Sequence, residues 1–250
     1  MADLAPRRLV AGNWKMNHKG GISEAVMLRR ALLNRPASCD VAICPPATLI
    51  SALRTELAGS AIRIGGQDCR PEPSGAFTGD LSAEALKDAG AELVILGHSE
   101  RRHGHGESDE LVSRKVQGAL RAGLSAIVCV GETDAERDGG KTLSVVGRQI
   151  AGSIPDEMPA KSLIIAYEPV WAIGSGKVPS NLDIESVHDF IRRELSKKVG
   201  DAADEVPILY GGSVKPANAA EILRLKNVDG ALVGGASLMA ADFVKIVEAA

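Results

Sequence analysis

Short apolar runs alternate with longer amphipathic segments along the whole chain. The runs show no regular alternation of apolar and polar residues, which is typical of strands that are buried on both faces, as in a parallel sheet. We predict eight such strands, at Leu9–Ala11, Val41–Cys44, Ile62–Gly65, Leu93–Leu96, Ala126–Val130, Leu163–Ala166, Val206–Leu209 and Gly230–Val233.

The segments between these runs carry apolar residues at the spacing of an α-helix. Ser82 and Ser108 each precede an acidic first turn, so we predict that both residues cap helices. The predicted helices are Ser23–Leu33, Thr48–Leu57, Ala83–Ala89, Asp109–Ala122, Thr142–Ala151, Leu182–Val199, Ala217–Leu225 and Ser237–Glu248.

A strand followed by a helix, repeated eight times in 250 residues, predicts a (β/α)8 barrel with eight parallel strands. We expect one domain over residues 1–250, because no linker or change of composition divides the chain. A doubly wound open sheet is the alternative fold. At this length it usually has fewer strands, and a glycine-rich fingerprint follows its first strand. Gly12-Asn-Trp-Lys15 follows the first run here and lacks that fingerprint.

Composition and charge argue against several classes of function. Apolar residues make up 45% of the chain and charged residues 24%, as in ordinary globular proteins. The net charge of −3 predicts no general attraction to nucleic acid or to an anionic membrane. The chain contains no run of about 18 apolar residues, so we predict no membrane span. We expect no secretory signal, because no long apolar segment follows the basic pair Arg7-Arg8.

The four cysteines do not form a Cys-x-x-Cys motif. We predict reduced thiols and a cytoplasmic protein, with packing favoured over a nucleophilic role for Cys129. The cysteines are Cys39, Cys44, Cys69 and Cys129.

Polar residues follow several of the predicted strands. In a (β/α)8 barrel the active site lies at the C-terminal ends of the strands, so these residues should meet at one rim. They are Asn13 and Lys15 after the first run, His98 after the fourth, Glu168 after the sixth, Gly211-Gly212-Ser213 after the seventh and Gly234-Gly235 after the eighth.

These residue types suit proton transfer beside a carbonyl group on a small phosphorylated molecule. Glu168 can remove a proton, and His98 and Asn13 can polarise a carbonyl oxygen. Lys15 can neutralise an anion, and glycine turns let backbone N–H groups approach a phosphate closely. Each residue alone has a plain alternative as a surface or structural group, so the prediction depends on their joint position.

Five segments resemble the signature sequences of the triosephosphate isomerase family, in that family's order and over essentially the whole chain. The segments are AGNWKMN at 11–17, GHSERR at 97–102, AYEPVWAIGSGK at 166–177, YGGSV at 210–214 and LVGGAS at 232–237.

The resemblance implies interconversion of dihydroxyacetone phosphate and D-glyceraldehyde 3-phosphate, a step of glycolysis and gluconeogenesis. It implies that Glu168 carries the proton between C1 and C2, and that neutral His98 acts as the electrophile. Lys15 and Asn13 would bind the substrate, and Glu100 would orient Lys15. No metal and no cofactor are implied.

The resemblance also assigns the residues around these groups. His98 directly precedes a predicted short helix that begins at Ser99. The positive end of the helix dipole should lower the pKa of His98. Backbone N–H groups near Gly174, Ser213, Gly234 and Gly235 would hold the phosphate.

A mobile lid is implied directly after Glu168. Pro169, Val170 and Trp171 resemble its first hinge, followed by the tip Ala172, Ile173, Gly174, Ser175 and Gly176, and by Lys177. Ser175 stands where the family more often has threonine. Pro179 restricts Val178 to extended geometry, so we expect a stiffer second hinge than in relatives without this proline.

Gly75–Asp80 resembles the family's loop that inserts into a neighbouring subunit. The resemblance implies a homodimer in which Thr78 reaches the partner's site, Phe77 is covered and Gln67 lies at the interface. A loop that packs against its own chain and a tetramer are the alternatives.

Other motifs favour other functions only weakly. Gly139-Gly-Lys-Thr142 resembles the end of a phosphate-binding P-loop, but Ala135 stands where that motif requires glycine. His98, His103 and His105 lack further ligands at zinc spacing. A Schiff-base aldolase would need a lysine inside a strand. A non-catalytic scaffold would be indicated by loss of Glu168 or His98, and both are present.

Overall fold

The computed structural model describes residue 6, residues 8–17, 20–156 and 158–173, residue 177 and residues 179–250. Its strands are parallel and pair in sequence order, and the first strand also pairs with the last, so the sheet closes into a barrel. This confirms the predicted (β/α)8 fold and excludes the open sheet. The strands are β1 (Leu9–Asn13), β2 (Asp40–Cys44), β3 (Ile62–Gly66), β4 (Leu93–Leu96), β5 (Ser125–Val130), β6 (Leu163–Tyr167), β7 (Ile208–Tyr210) and β8 (Gly230–Val233).

Helices occupy the connections between the strands. Within the described ranges, each helix is too short or too polar to span a membrane. The helices are α1 (Gly21–Asn34), α2 (Ile50–Glu56), α3 (Ala83–Ala89), α4 (Ser99–Gly104), α5 (Asp109–Arg121), α6 (Asp134–Asp138), α7 (Thr142–Ser153), α8 (Asn181–Val199), α9 (Ala219–Ile222) and α10 (Ala240–Glu248).

The C-terminal third departs most from the predicted element bounds. β7 begins at Ile208 instead of Val206, because Pro207 has no N–H group for the sheet and contributes only its carbonyl, which accepts from Ile165. The predicted helix Ser237–Glu248 is divided: Gly235–Ser237 forms a 3-10 turn, and α10 begins only at Ala240.

Side chains of alternate strand residues point into the barrel, and the others pack against the helices. Ala11 on β1 and Ala166 on β6 belong to the inner set, so Asn13 and Glu168, two residues further along, continue on the inner face. The strand period therefore aims both groups at the barrel axis. The inner cluster consists of Leu9, Ala11, Ala42, Cys44, Leu93, Ile95, Ile127, Cys129, Ile164, Ala166, Leu209 and Leu232.

A buried ionic cluster ties the end of β3 to α4 and α5. The Lys115 ammonium lies 2.7 Å from Asp68 and 2.5 Å from Glu107, and Arg101 lies 2.9 Å from Asp68 and 2.6 Å from Glu107. Burial raises the pKa of Asp68. Burial also tends to raise the pKa of Glu107. Lys115 and Arg101 outweigh it and hold the pKa of Glu107 below its ordinary value. Since Arg101 lies on α4, the cluster fixes the helix that follows His98.

Candidate active site

A cavity of about 290 Å³ opens at the C-terminal ends of the strands. The structure brings together there seven of the residues predicted for catalysis or substrate binding: Asn13, Lys15, His98, Glu168, Ser213, Gly234 and Gly235. The cavity is also lined by Ile173, Gly212 and Lys215. One carboxyl group, one imidazole, one ammonium group and two glycine turns therefore surround the same cavity, as expected for residues at the C-terminal ends of barrel strands.

Lys15 is held in place from several sides. Its backbone has φ +51°, a left-handed conformation that residues other than glycine rarely adopt. Asn13 Oδ1 accepts the Lys15 N–H at 3.0 Å, and the Gln67 side chain donates to the Lys15 carbonyl at 2.9 Å. The Lys15 ammonium lies 2.5 Å from Glu100 Oε1. A residue other than glycine that is held in a left-handed backbone conformation commonly marks a functional position.

His98 is placed by the turn that joins β4 to α4. Gly97 has φ +64°, which turns the chain so that His98 precedes the first helical residue. His98 Nδ1 accepts the backbone N–H of Glu100 at 3.2 Å. An accepting Nδ1 carries a lone pair, so the neutral ring has its proton on Nε2. That nitrogen lies 2.8 Å from Glu168 Oε1.

The charge state of His98 depends on Glu168. Burial lowers the pKa of His98, the Glu168 carboxylate raises it, and the resulting pKa lies above the ordinary value. The lowered pKa expected from the helix dipole is therefore wrong for this arrangement. The reason is that a carboxylate in direct contact outweighs the partial charge of a six-residue helix.

Both carboxylate oxygens of Glu168 have partners. Oε1 faces His98, and Oε2 accepts the backbone N–H of Ser99 at 2.9 Å. The Glu168 side chain is only 2% exposed. Cys129 lies on the inner face of β5 nearby, where burial and the Glu168 charge hold its pKa well above the ordinary value. The Cys129 thiol is thus protonated, which favours packing over a nucleophilic role.

The two glycine turns line the side of the cavity next to Lys15. A Cβ atom at Gly234 would lie 3.7 Å from Lys15 Cε, so the ammonium side chain runs beside this turn. A Cβ atom at Gly212 would lie 2.2 Å from the Tyr210 hydroxyl, so only glycine fits there. Gly235–Ser237 forms a short 3-10 turn, and the N–H groups at the start of such a turn point outward without partners inside the turn.

The first hinge of the predicted lid is anchored to the loop after β5. Val170–Ala172 form a 3-10 turn, and Trp171 Nε1 donates to Glu132 Oε1 at 2.9 Å. Ile173, the next residue, lines the cavity. Gly174, Ser175 and Gly176 of the predicted lid, and Val178 beside the buried Pro179, lie outside the described residues.

Glu132, Asp134 and Arg137, which we call the hinge platform, were missed in the sequence. The buried Glu132 carboxylate also accepts from the Tyr167 hydroxyl at 3.1 Å, and burial raises the pKa of Glu132. The Arg137 guanidinium carbon lies 3.9 Å from the centre of a Trp171 ring. Lys177, at the other end of the predicted lid, lies 3.5 Å from Asp134. Glu132 comes two residues after β5, so the strand-end rule would have found it.

The residues of the predicted dimer loop are separated in the structure. Gln67 is turned toward its own chain, where it donates to Lys15 and to the Cys44 carbonyl at 2.8 Å. Phe77 is 36% exposed, with its ring 3.8 Å from the Arg70 guanidinium carbon, and Thr78 is exposed.

The alternative motifs have structural roles. Gly139 and Gly140 connect α6 to α7, and His103 Nδ1 lies 2.8 Å from the Ser99 carbonyl. Within the described ranges, no three His, Cys, Asp or Glu side chains approach closely enough to share a metal ion. Lys15, which runs beside the Gly234 turn, follows β1 instead of lying inside it, unlike the Schiff-base lysine of an aldolase.

Comparisons with known proteins agree with this geometry. The sequence profile of triosephosphate isomerase matches residues 8–250. The chain is 56% identical over 244 residues to the triosephosphate isomerase of Afipia carboxidovorans, covering 97% of each chain. It is 57% identical to that of Ruegeria sp. TM1040, covering 97% of this chain and 98% of the relative.

A solved structure extends the likeness to three dimensions. The crystal structure of triosephosphate isomerase from Bartonella henselae superposes with a TM-score of 0.91 at 47% identity, covering 97% of this chain and 98% of that one. Profile, sequence and fold agree over nearly the full length, and this chain belongs to the triosephosphate isomerase family.

Proposed function

We propose that this protein interconverts dihydroxyacetone phosphate and D-glyceraldehyde 3-phosphate, with Glu168 as the base and neutral His98 as the electrophile. The observation that carries the assignment of residues is the 2.8 Å contact between Glu168 Oε1 and His98 Nε2 in a cavity that also holds Lys15 and two glycine turns. The proposed reaction uses no metal and no cofactor. It is a step of glycolysis and gluconeogenesis.

The proton transfer uses groups that the cavity already positions. Glu168 removes a proton from C1 of the ketone, and the electrons of the C–H bond form the enediolate double bond. His98 Nε2–H and the Lys15 ammonium stabilise the negative charge that develops on the carbonyl oxygen, and the Asn13 amide helps to fix the substrate. His98 gives its Nε2 proton to O2 and takes the proton from O1, and return of the carbon-bound proton from Glu168 to C2 then gives the aldehyde.

Glu168 must change partners before it can act. Its Oε2 accepts from the Ser99 N–H and its Oε1 faces His98, so neither oxygen is free in the described arrangement. Substrate would displace the carboxylate from both contacts. His98 would then lose the charge that raises its pKa, which favours the neutral ring that the reaction needs.

The turns and the lid would bind the phosphate and exclude water. Ser213, Gly234 and Gly235 offer backbone N–H groups from the rim, and Gly174 would add one from the lid. Closure of residues 169–177 would protect the enediolate, because an enediolate open to water can lose its phosphate group. The hinge platform supports this proposal, since it contacts both Trp171 and Lys177.

A coupled isomerase assay with Glu168→Gln tests the assignment. We expect wild-type turnover and a loss of kcat of about 10²–10⁴-fold in the variant. Glu205→Gln is the matched control, because it removes the same charge from the exposed N-terminal side of the barrel and should leave kcat unchanged. Turnover in neither protein would indicate a non-catalytic scaffold. Trapping of the substrate by borohydride would indicate a Schiff-base aldolase.

We further propose a homodimer that forms through the loop at 75–80 and the segment after Lys15. Met16 is 96% exposed and Phe77 is 36% exposed, and both would be covered by a partner subunit. Light scattering should give the mass of two chains for the wild type. Thr78→Arg should shift the measured mass toward that of a single chain. Leu182→Arg, at a 78% exposed apolar residue of α8, is the control that should stay dimeric. The mass of four chains would indicate a tetramer.

We also propose a reducing, cytoplasmic compartment for the protein. Its four cysteines are all buried as thiols and none of them is in a disulfide, which supports this assignment. A thiol titration of the unreduced protein after denaturation should detect all four thiols. A disulfide would contradict the proposal.

A further inference from the structure

Two lysines line the cavity, and their electrostatic surroundings differ. The Lys15 ammonium lies 2.5 Å from Glu100, so its charge is already compensated. Lys215 also lines the cavity and is exposed, and none of the described carboxylates lies within ion-pair distance of it. Lys215 therefore supplies the uncompensated positive charge at the rim.

The backbone of Lys215 is fixed at this position. Asn218 Oδ1 accepts the Lys215 N–H at 2.7 Å, and Asn218 Nδ2 donates to the Ser213 carbonyl at 3.0 Å. The Lys215 carbonyl accepts from the N–H groups of Asn218 at 3.1 Å and Ala219 at 3.0 Å. Asn218 thus clamps the turn, so that Lys215 is rooted two residues beyond Ser213.

The charge of the chain makes such a group useful. The net charge of −3 gives the chain no general attraction for a dianionic phosphate, so attraction toward the cavity has to come from cations at its rim. A cation at the mouth of a cleft raises the local concentration of an anionic substrate and its association rate. Because Lys215 is solvated at the rim, its influence should reach substrate before it is bound.

We propose that Lys215 is a phosphate-recruiting residue that sets the rate of substrate capture and leaves the proton-transfer step unchanged. The inference rests on the proposed function only in taking a phosphorylated triose as the substrate. Lys215 contacts the approaching phosphate group, whereas Glu168 and His98 act on the reacting carbons.

The test compares Lys215→Met with the wild type over a range of salt concentrations. Methionine keeps an apolar side chain of similar length and removes the charge. We expect kcat/KM to fall about three- to tenfold at low salt, with kcat within about twofold. The difference should shrink between about 0.01 M and about 1 M salt, as the screening length falls from about 30 Å to about 3 Å. Lys215→Arg should restore kcat/KM.

Lys226→Met is the matched control. Lys226 follows α9 in the chain, and Lys215 precedes α9. The Lys226 side chain is 72% exposed and pairs with Asp189 away from the cavity. Both substitutions change the net charge equally. An equal effect of the two would overturn the proposal, as would an unchanged salt dependence or a loss confined to kcat in Lys215→Met.

Direct binding of inorganic phosphate separates this inference from the proposed function. Calorimetric titration should show a Kd about three- to tenfold weaker for Lys215→Met than for the wild type or Lys226→Met. An equal Kd in all three proteins would contradict recruitment by Lys215. Absence of isomerase turnover in the wild type would instead contradict the proposed function, and phosphate binding would still decide the role of Lys215.

Discussion

Glu168 and His98 contact each other directly, with Glu168 Oε1 2.8 Å from His98 Nε2, and each sets the state of the other. The carboxylate raises the pKa of a ring whose burial alone would lower it. We therefore predict that the pKa of His98 lies above its ordinary value of about 6.5 in the free protein and below it in Glu168→Gln. NMR titration of the ring measures both values.

Glu100→Gln is the control for this titration. Glu100 acts on His98 more weakly than Glu168 does, so its removal should lower the pKa of His98 by less. Equal pKa values in the wild type and Glu168→Gln would show that the contact is not formed in solution.

Glu132 accepts hydrogen bonds from Trp171, in the first hinge of the proposed lid, and from Tyr167. Glu132→Leu removes the acceptor of both donors at similar volume, and an unsatisfied buried donor costs about 1–3 kcal/mol. We expect kcat to fall about tenfold and the release of inorganic phosphate per turnover to rise, because the closed lid is populated less. Tyr167→Phe removes only one donor and should change both quantities less. Unchanged phosphate release would argue against a role of Glu132 in closure.

Lys115 holds two buried carboxylates, at 2.7 Å from Asp68 and 2.5 Å from Glu107. Lys115→Met leaves both without this partner, so we predict a loss of about 3–5 kcal/mol in the free energy of unfolding. Urea denaturation at fixed protein concentration measures it. Arg121→Met breaks a partly exposed pair with Glu84 and should cost at most about 1 kcal/mol. Similar losses in the two variants would mean that burial of the cluster is unimportant.

His188 makes stability depend on pH. It is fully buried, its Nδ1 lies 2.8 Å from the Asn227 carbonyl, and burial lowers its pKa to about 4. The unfolded chain binds a proton near pH 6.5 and the folded chain only near pH 4. The stabilisation is therefore complete above about pH 6.5 and is lost as the pH falls toward 4.

We expect this group to remove about 2.5 kcal/mol between about pH 7.5 and about pH 4.5. His188→Gln can still donate to Asn227 but does not titrate, so its free energy of unfolding should fall less over this range. The difference between the two slopes isolates His188 from the carboxylates that titrate nearby. Parallel curves for the two proteins would contradict the prediction.

The periodicity of the chain was sufficient to predict the barrel. Strands buried on both faces appear as uninterrupted apolar runs. Parallel strands need a long crossover connection, usually a helix. Eight runs separated by helical segments therefore predicted the barrel. The rule that sites lie at the C-terminal strand ends then located Asn13, His98 and Glu168. Glu132, two residues after the fifth strand, obeys the same rule.

Other features could not be predicted from local sequence. Asp68 and Lys115 pair across 47 positions, and nothing near either residue indicates the other. The pKa of His98 depends on Glu168, which is far away in the chain and adjacent only in the folded barrel. Pro207 shortened β7 through a missing hydrogen bond, which a hydrophobicity pattern does not record.

Lys15 has a left-handed backbone, with φ +51°, that its own side chain disfavours by about 1 kcal/mol. Glycine would adopt this conformation without that strain, but it would remove the ammonium that faces Glu100 and the cavity. Selection for thermal resistance and selection for turnover therefore oppose each other at this position. A library of variants sorted only for resistance to heat should accumulate the substitutions Lys15→Gly and Lys15→Asn, and the same library sorted for isomerase activity should return to lysine.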